Sequence, residues 1–354
     1  MRERSRKIRN FIIDKVEKHP KDIGLLVAEK FGISRQAASK HLSRLSTEGI
    51  LNKIGATKAR SYELANIIDI TKTYRHSSLE SEDVIWRECF LPSLKDIVPK
   101  NVLEICQYGF TEMLNNVIDH SEAKRVIINV RFNSKNITIM IMDSGIGVFQ
   151  KIQSHFKLED QRQAILELAK GKLTSDPERH SGEGIFFSSR MFDQYTLSSD
   201  KISYIRFNED DWLVETFEKA VHGTEVFMSI SIDSKREMIK VFDKYASGDG
   251  DYSFNRTHVP VELARYEGEK LVSRSQAKRL LARFDRFKEV FLNFKGVESI
   301  GQAFADEVFR VFRNENPDIK IVWVNTTPEV DKMIQRAISA ASGKSEAQLN
   351  LFKK

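Results

Sequence analysis

The segment FTEMLNNVIDHS, from Phe110 to Ser121, is the feature that most limits how this chain folds. Glu112, Asn116 and His120 recur every four residues, and apolar residues fill the turns between them. Because positions four apart lie above one another on a helix, a carboxylate, an amide and an imidazole share one stripe. The stripe is either a solvated face of an amphipathic helix or a site for a charged ligand.

Three later segments favour the ligand site. RVIINVRF and NITIMIMD alternate apolar and polar residues, which predicts a pair of strands. The second runs directly into DSGIGV, so Asp143 ends a strand and Gly145 and Gly147 permit a tight turn. RHSGEGIFFSSRMFD then gives a second glycine turn that leads into a helix. Finally, HGTEVFMSI places Gly223 and Thr224 at the start of another strand.

In this order, the four segments resemble the motifs of the GHKL ATPase superfamily, which includes gyrases, ATP-driven chaperones, mismatch-repair ATPases and histidine kinases. One such motif alone is weak evidence, whereas four in order form a specific pattern. The resemblance implies a Bergerat-type α/β sandwich over residues 84–253 that binds ATP and Mg²⁺. The residues that match its motifs are Glu112, Asn116, Asp143, Gly145, Gly147, Gly182, Gly184, Gly223 and Thr224.

The resemblance also implies roles for the polar residues of these motifs. Glu112 is the expected catalytic residue, because a carboxylate there can orient and deprotonate an attacking water or hydroxyl. Asn116 is the expected Mg²⁺ ligand, since its amide offers a neutral oxygen. Asp143 is expected to accept a hydrogen bond from the adenine amino group, and Thr224 is expected to support it.

The glycines of the two turns are expected to bind the nucleotide through their backbones. Gly145 and Gly147 let the chain approach the base. Gly182 and Gly184 precede a helix whose first amides can hold phosphate oxygens. The polar segment between the turns, residues 149–181, is expected to form a lid over ATP.

Four further residues near these motifs carry open alternatives. His120 matches the N boxes of anti-sigma-factor kinases, but an imidazole on an apolar helix is more often a hydrogen-bonded structural residue, and that interpretation is favoured. Asp119 either matches chaperone-type N boxes or belongs to a solvated face. Arg179 and His180 border the lid, where they either contact phosphate or are solvated.

The positive charge of the chain is concentrated in residues 1–65, which carry 15 Lys and Arg against 7 Asp and Glu; the remainder carries 41 against 43. This imbalance suggests a polyanion partner for that segment alone. Its helical patterns, with a stop at Gly32 and an N-cap at Ser34, and the alternating hairpin that follows, resemble a winged helix-turn-helix domain. The resemblance implies binding to double-stranded DNA, and the alternative is a domain used only for protein contacts. The residues expected to contact DNA are Arg35, Gln36, Ser39, Lys40, Arg44, Lys58 and Arg60.

Beyond this domain, residues 66–83 lose apolar periodicity and are predicted to be a linker. From 254 to 341 strands and helices alternate, and the stretch GVESIGQAFADEVFR resembles the STAS-like domain found behind bacterial GHKL ATPases. The similarity to anti-anti-sigma factors implies a protein partner or a dimer contact here. Ser299, near the position of their phosphorylated residue, is interpreted as a capping or turn serine, with phosphorylation as the alternative. Residues 342–354 are expected to be a flexible tail.

The cysteines and the hydropathy of the chain bear on its compartment. Cys89 and Cys106 stand among apolar neighbours, as small core residues do in a reducing compartment. No apolar signal core follows the basic N-terminus, and no apolar run approaches the roughly twenty residues that span a bilayer. These features predict a cytoplasmic protein without a membrane contact.

Together these features predict a multidomain α/β protein that acts as a bacterial transcription regulator. Its winged helix would bind DNA, and Mg-ATP binding or slow hydrolysis in the GHKL domain would modulate that binding. The alternative is a protein serine kinase of the anti-sigma-factor type, acting on a partner or on the STAS-like domain. A third interpretation is a binding module without chemistry. Weak ATPase activity and a homodimer are both left open.

Overall fold

The protein has three structural units, which are called here the N-terminal unit (residues 3–65), the central unit (66–246) and the C-terminal unit (253–351). The computed structural model describes residues 3–56, 59–174, 182–216, 220–246, 253–265 and 269–351, with side chains described up to residue 340. Within this part of the chain the architecture is a multidomain α/β protein with three separate sheets.

The N-terminal unit consists of three helices and a hairpin around a core of its own: α1 Glu3–Lys15, α2 Ile23–Phe31, α3 Arg35–Thr47, β1 Leu51–Ile54 and β2 Ser61–Leu64. Helix α2 ends at Gly32, whose backbone is left-handed. Helix α3 begins after Ser34, whose Oγ accepts the N–H of Ala37 at 3.1 Å. Both boundaries confirm the sequence prediction. Leu42 and Leu45 of α3 are buried in this core.

The central unit is built on one seven-stranded sheet: β3 Ile68–Arg75, β4 Arg125–Phe132, β5 Asn136–Asp143, β6 Gln194–Asp200, β7 Ile202–Phe207, β8 Asp210–Glu215 and β9 Val221–Ser231. The strands are ordered β3-β4-β5-β9-β6-β7-β8 and all neighbours are antiparallel. The two strands predicted from alternating residues, β4 and β5, are confirmed as an antiparallel pair. Alternation predicted them well because each buries every second residue.

The prediction of a linker over residues 66–83 is wrong. Strand β3 pairs with β4 along its whole length, and a 3₁₀ turn, His76–Ser78, follows it. As an edge strand, β3 exposes much of its polar side. Its inward residues, Ile68, Ile70 and Tyr74, are only partly buried. The apolar signal of the strand is therefore too weak to read from the sequence alone.

The central unit also has these helices: α4 Glu82–Ile85, a π-helical segment Trp86–Phe90, α5 Leu91–Leu94, α6 Lys100–His120, α7 Val148–Phe156, α8 Gln161–Lys170, α9 Gly184–Met191 and α10 Met238–Tyr245. Helices α6, α8 and α9 contact the sheet directly. Helix α6, which carries the polar stripe, buries Phe110 and Leu114 in the core. Cys106 lies in that core as well, and Cys89 is half-buried. Neither cysteine forms a disulfide.

The C-terminal unit has a three-stranded parallel sheet, β10 Arg256–Pro260, β11 Glu289–Asn293 and β12 Lys320–Val324, in that order. Its helices are α11 Arg274–Leu281, α12 Gln302–Asp306 with its continuations Glu307–Phe312 (π) and α13 Arg313–Glu315, and α14 Pro328–Leu351, besides the 3₁₀ turns Val261–Ala264 and Phe284–Arg286. The predicted alternation of strands and helices is confirmed. Helix α14 extends through most of the predicted tail, and residues 352–354 lie outside the described part of the chain.

The central and C-terminal units share one continuous apolar core. The ring of Phe254 lies 4.5 Å from Phe186 and 5.0 Å from Phe187, both in α9, and 5.4 Å from Phe287 (centroid distances). Because aromatic rings bury large apolar areas, this contact fixes the two units against each other.

Replacing Gly109 with alanine is expected to destabilise the central unit by about 1–3 kcal/mol. The added Cβ would lie 2.4 Å from the ring of Phe192 and 3.1 Å from the Sδ of Met228. Gly24→Ala is the matched control, because a Cβ there meets only Leu42 at 3.4 Å and alanine favours a helix over glycine by about 1 kcal/mol. Calorimetric unfolding measures both, and equal transitions for Gly109→Ala and the wild type would contradict this packing.

Candidate functional site

A cavity of about 310 Å³ lies where α6, the turn after β5, α7, the start of α9 and strand β9 meet. These elements are far apart in the sequence, yet the cavity collects nearly all the residues predicted for a site. The predicted residues that line it are Glu112, Asn116, His120, Asp143, Gly147, Gly182, Gly184 and Thr224. Gly145 contacts one of these lining residues, since its N–H donates to Asp143 Oδ1 at 2.7 Å.

Asp143 is a buried carboxylate inside a network of hydrogen bonds, with 6 % of its surface exposed. Burial raises the pKa of Asp143 above its usual value, and hydrogen bonds from the Gly145 N–H and from the N–H and hydroxyl of Thr224 oppose that rise. Thr224 Oγ in turn accepts the N–H of Val148 at 3.1 Å. The network therefore links the end of β5 to β9 and to the first residue of α7.

Strand pairing places these groups together. Asp143 lies directly opposite Thr224 in the β5–β9 ladder. The preceding residue, Gly223, has φ +83°, and a Cβ there would be 2.1 Å from the Asp143 carbonyl oxygen. Glycine is thus required at this position for both strands to approach closely beside the cavity.

Glu112 lies against the start of helix α9. A Cβ on Gly184 would be 2.0 Å from Glu112 Oε2, so only glycine allows this approach. The first turn of a helix presents backbone N–H groups and a partial positive charge, which favour a bound anion. A carboxylate and an anion-attracting helix end therefore border the same cavity.

The sequence analysis missed two basic side chains on α7. Lys151 and His155 line the cavity one helical turn apart. Lys151 Nζ donates to the backbone oxygen of His120 at 2.5 Å and to Glu122 Oε1 at 3.3 Å. The sequence pattern that could have indicated these two residues is their spacing of four, directly after the first glycine turn.

Apart from Asn115, Ser121 and Thr174, the rest of the lining is apolar. Such a lining with a few convergent polar groups is typical of pockets for small organic ligands. The apolar lining residues are Met113, Val117, Ile146, Val148, Ile152, Phe156, Leu168, Leu173, Ile185, Leu197 and Val226. An aromatic ring system and a charged group can therefore be accommodated in one cavity.

The expectation of a polar lid over residues 149–181 is wrong for helix α8. Most of α8 is buried, including Ile165 and Leu168. It packs against α9, β8 and β10, so it lies between the central sheet and the C-terminal unit. Residues 175–181, with Arg179 and His180, lie outside the described residues.

The residues expected to contact DNA share an exposed face of α3: Arg35, Gln36, Ser39, Lys40 and Arg44. Arg44 Nε donates to Glu48 Oε1 at 2.8 Å, so part of its charge is compensated. Arg60 is half-buried. Lys58 lies outside the part of the chain that the structure describes. Among the described residues that were expected to contact DNA, the exposed ones therefore lie together on α3.

Comparison with known families bears on the C-terminal unit. Residues 276–331 match a family model described as a STAS-like domain of unknown function (DUF4325). This match confirms the STAS-like interpretation of that segment, and the C-terminal unit is called the STAS-like domain from here on. Ser299 of this domain is exposed in the loop between β11 and α12. A search of curated proteins gave no match to the chain.

Two findings limit the other kinds of site. Within the described ranges, no three His, Cys, Asp or Glu side chains cluster so as to hold a metal ion. No described helix has both the length and the apolar character required to cross a membrane.

Ionised Asp143 is expected to lower the stability of the folded protein. The pKa of Asp143 is higher in the folded than in the unfolded state. Its contribution to the free energy of unfolding is therefore fully present below about pH 4 and is lost as the pH rises through the folded-state pKa. Denaturant unfolding should show that the wild type loses stability relative to Asp143→Asn as the pH rises above about 4. The exposed Asp96→Asn variant is the control, and parallel pH profiles of wild type and Asp143→Asn would contradict the expectation.

Proposed function

We propose that the cavity binds Mg-ATP and that the nucleotide regulates DNA binding by the N-terminal unit. The observation that carries the proposal is that residues from four separate sequence motifs line one cavity. Those motifs are the ones that resemble GHKL ATPases, and nucleotide binding is the role the resemblance implies for them.

The environment of Asp143 supports an adenine site. Its carboxylate is fixed by Gly145 and Thr224, and apolar residues such as Leu197 and Val226 line the same cavity. Adenine would gain apolar contacts on its faces, and its amino group would donate to the carboxylate of Asp143. A guanine, which has a carbonyl at that position, would place an acceptor against an acceptor and be disfavoured.

Other polar groups of the cavity support a triphosphate site. Lys151 and the start of α9 offer positive potential. Asn116 would hold Mg²⁺ through its amide oxygen, consistent with an ion that keeps several waters and takes phosphate ligands. Mg²⁺, when bound, supplies charge neutralisation to the phosphates. Glu112 is placed on the same helix face and can accept a proton from an attacking water, which would permit slow hydrolysis.

Two features of the N-terminal unit support the proposed regulation of DNA binding: its exposed basic face and its contact with the turn between β4 and β5. Its exposed α3 face carries Arg35, Lys40 and Arg44, which are residue types that contact phosphates and base edges. Lys135, in the turn between β4 and β5, donates to Glu17 Oε2 at 2.9 Å and to the backbone oxygen of Asp14 at 3.3 Å. Strand β5 runs from this turn to Asp143, so a single strand connects the contact with the basic unit to the cavity.

Asn116→Ala is expected to weaken Mg²⁺-dependent ATP binding by at least about tenfold, because the only expected protein ligand to the ion is removed. Isothermal titration with ATP in Mg²⁺ and in EDTA measures the effect, and thermal unfolding checks that the fold is intact. Gln107→Ala, on the exposed side of the same helix, is the matched control. Equal affinities of Asn116→Ala and the wild type would refute the metal assignment, and no binding by the folded wild type would refute the nucleotide site.

Arg35→Ala is expected to weaken DNA binding by about tenfold and to reduce the slope of log K against log salt by about 0.9 if a phosphate contact is lost. Arg44→Ala should have a smaller effect, because Glu48 already compensates part of that charge. Fluorescence anisotropy with a duplex selected from a random pool measures both. Lys100→Ala, with an exposed side chain in α6, is the control, and unchanged binding by both arginine variants would exclude the α3 face.

A protein serine kinase is the second candidate function. The match of residues 276–331 to a STAS-like domain and the exposure of Ser299 support it. Incubation with γ-labelled ATP separates the two functions. Free labelled phosphate with unlabelled protein supports the ATPase, whereas label on the chain that disappears in Ser299→Ala, or label on an added partner, supports the kinase.

A further inference from the structure

One wall of the candidate nucleotide cavity continues directly into the contact with the STAS-like domain. Leu168, at the end of α8, and Leu173 and Thr174, after it, line the cavity. Residues 170–172, which lie between them, are held by groups of the neighbouring domain through side chains and backbone alike, whereas the backbone oxygen of Ala169 accepts from Arg190 of α9. The position of this wall therefore depends on the STAS-like domain as well as on the central unit, where the N–H of Leu173 donates to the backbone oxygen of Gly182 at 3.2 Å.

Lys170 is the innermost group of this contact, and its side chain is fully buried. Its ammonium group donates to Glu167 Oε1 at 2.6 Å and to two carbonyl oxygens of the STAS-like domain, those of Arg279 at 3.1 Å and Ala282 at 3.0 Å. Three acceptors thus surround the three N–H bonds. Thr257 of β10 also donates to the backbone oxygen of Lys170 at 2.7 Å.

Arg283 of the STAS-like domain completes the cluster. Its guanidinium donates to Glu167 Oε2 at 2.6 Å and to the carbonyl oxygens of Gly171 and Lys172, both at 2.8 Å. The side chain is 15 % exposed. Its backbone has φ +64°, a conformation that a non-glycine residue adopts only when its surroundings hold it there. One side chain therefore joins α8 to the chain that forms the cavity wall.

The charged groups of this contact depend on one another for compensation. Lys170, Glu167 and Arg283 are buried together, and removing one partner from a buried ion cluster leaves the others uncompensated. Without the guanidinium, Lys170 is the one partner that Glu167 keeps among the described residues. The Gly171 carbonyl loses a charged donor, and the Lys172 carbonyl keeps that of Arg286 at 2.9 Å. The segment would then gain freedom at the point where it borders the cavity.

We propose that the STAS-like domain sets the nucleotide affinity of the cavity, with Arg283 as the positioning residue that holds the wall at residues 168–174. This inference rests on the proposed Mg-ATP function. A wall that is already ordered spares a bound nucleotide the entropy of ordering it, so a docked domain gives tighter binding. By linkage, bound nucleotide stabilises the docked position of the domain to the same extent. A protein that binds the STAS-like domain and shifts it would therefore change nucleotide affinity without touching the cavity.

The experiment compares Arg283→Ala, Arg283→Lys and the control Arg274→Ala in the full chain. Arg274 belongs to the same domain, but its side chain is 65 % exposed and its ion pairs are long, at 3.9 and 4.0 Å. Two quantities are measured: the Kd of ATP with Mg²⁺ by titration, and hydrogen–deuterium exchange of residues 164–174 without nucleotide. Thermal unfolding identifies any variant that is not folded. Arg283→Lys keeps the charge but not the forked geometry, so it still tests the inference if the alanine variant does not fold.

We expect Arg283→Ala to raise the Kd by about tenfold and to accelerate exchange in residues 164–174. Arg283→Lys should give a smaller change of the same sign in both, and Arg274→Ala should change neither. Faster exchange in the folded Arg283 variants with an unaltered Kd would overturn the inference while leaving the nucleotide site intact. If the folded wild type binds no ATP, the proposed function fails and this inference fails with it.

Discussion

The antiparallel pairing of β5 with β9 is the interaction from which the site follows. Its register puts Asp143 opposite Thr224, and Gly223 allows the strands the close approach this requires. Thr224 then accepts the N–H of Val148, the first residue of α7. The same ladder therefore fixes a buried carboxylate and the start of the helix that carries Lys151. A shift of one residue would turn these side chains to the other face of the sheet.

A second constraint is the buried charge cluster between the central unit and the STAS-like domain. Desolvated ions are costly unless they are fully paired, so such a cluster tolerates little change in geometry. Here Lys170 and Arg283 share Glu167 and each also donates to two backbone carbonyls, while the buried Arg283 Nε has no hydrogen-bond partner among the described residues. The neighbouring aromatic contacts of Phe254 add apolar burial to the same interface. As a result, the boundary read from the sequence near residue 254 does not divide the packing, because both sides belong to one core.

The success of the sequence predictions depended on how local each signal was. Strands β4 and β5 were predictable because they bury alternate residues, and α3 because Ser34 caps it. Strand β3 was missed because an edge strand needs few apolar residues. The burial of α8 was missed because its charged residues, Glu167 and Lys170, suggest solvent unless the partner Arg283 is known. Lys151 was missed because its spacing of four residues from His155 does not indicate which cavity the helix borders.

The sequence by itself determined the residue types of the candidate site, the motifs that carry them, the basic character of the N-terminal unit and the STAS-like character of residues 276–331. Periodicity, caps and glycine turns act over a few residues, so they can be read locally. The tertiary structure alone decided that these motifs surround one cavity, that α7 contributes basic groups to it, and that another domain holds one of its walls. Those features depend on strand register and on the compensation of buried charge, which join residues distant in the chain and are fixed only when the whole core packs.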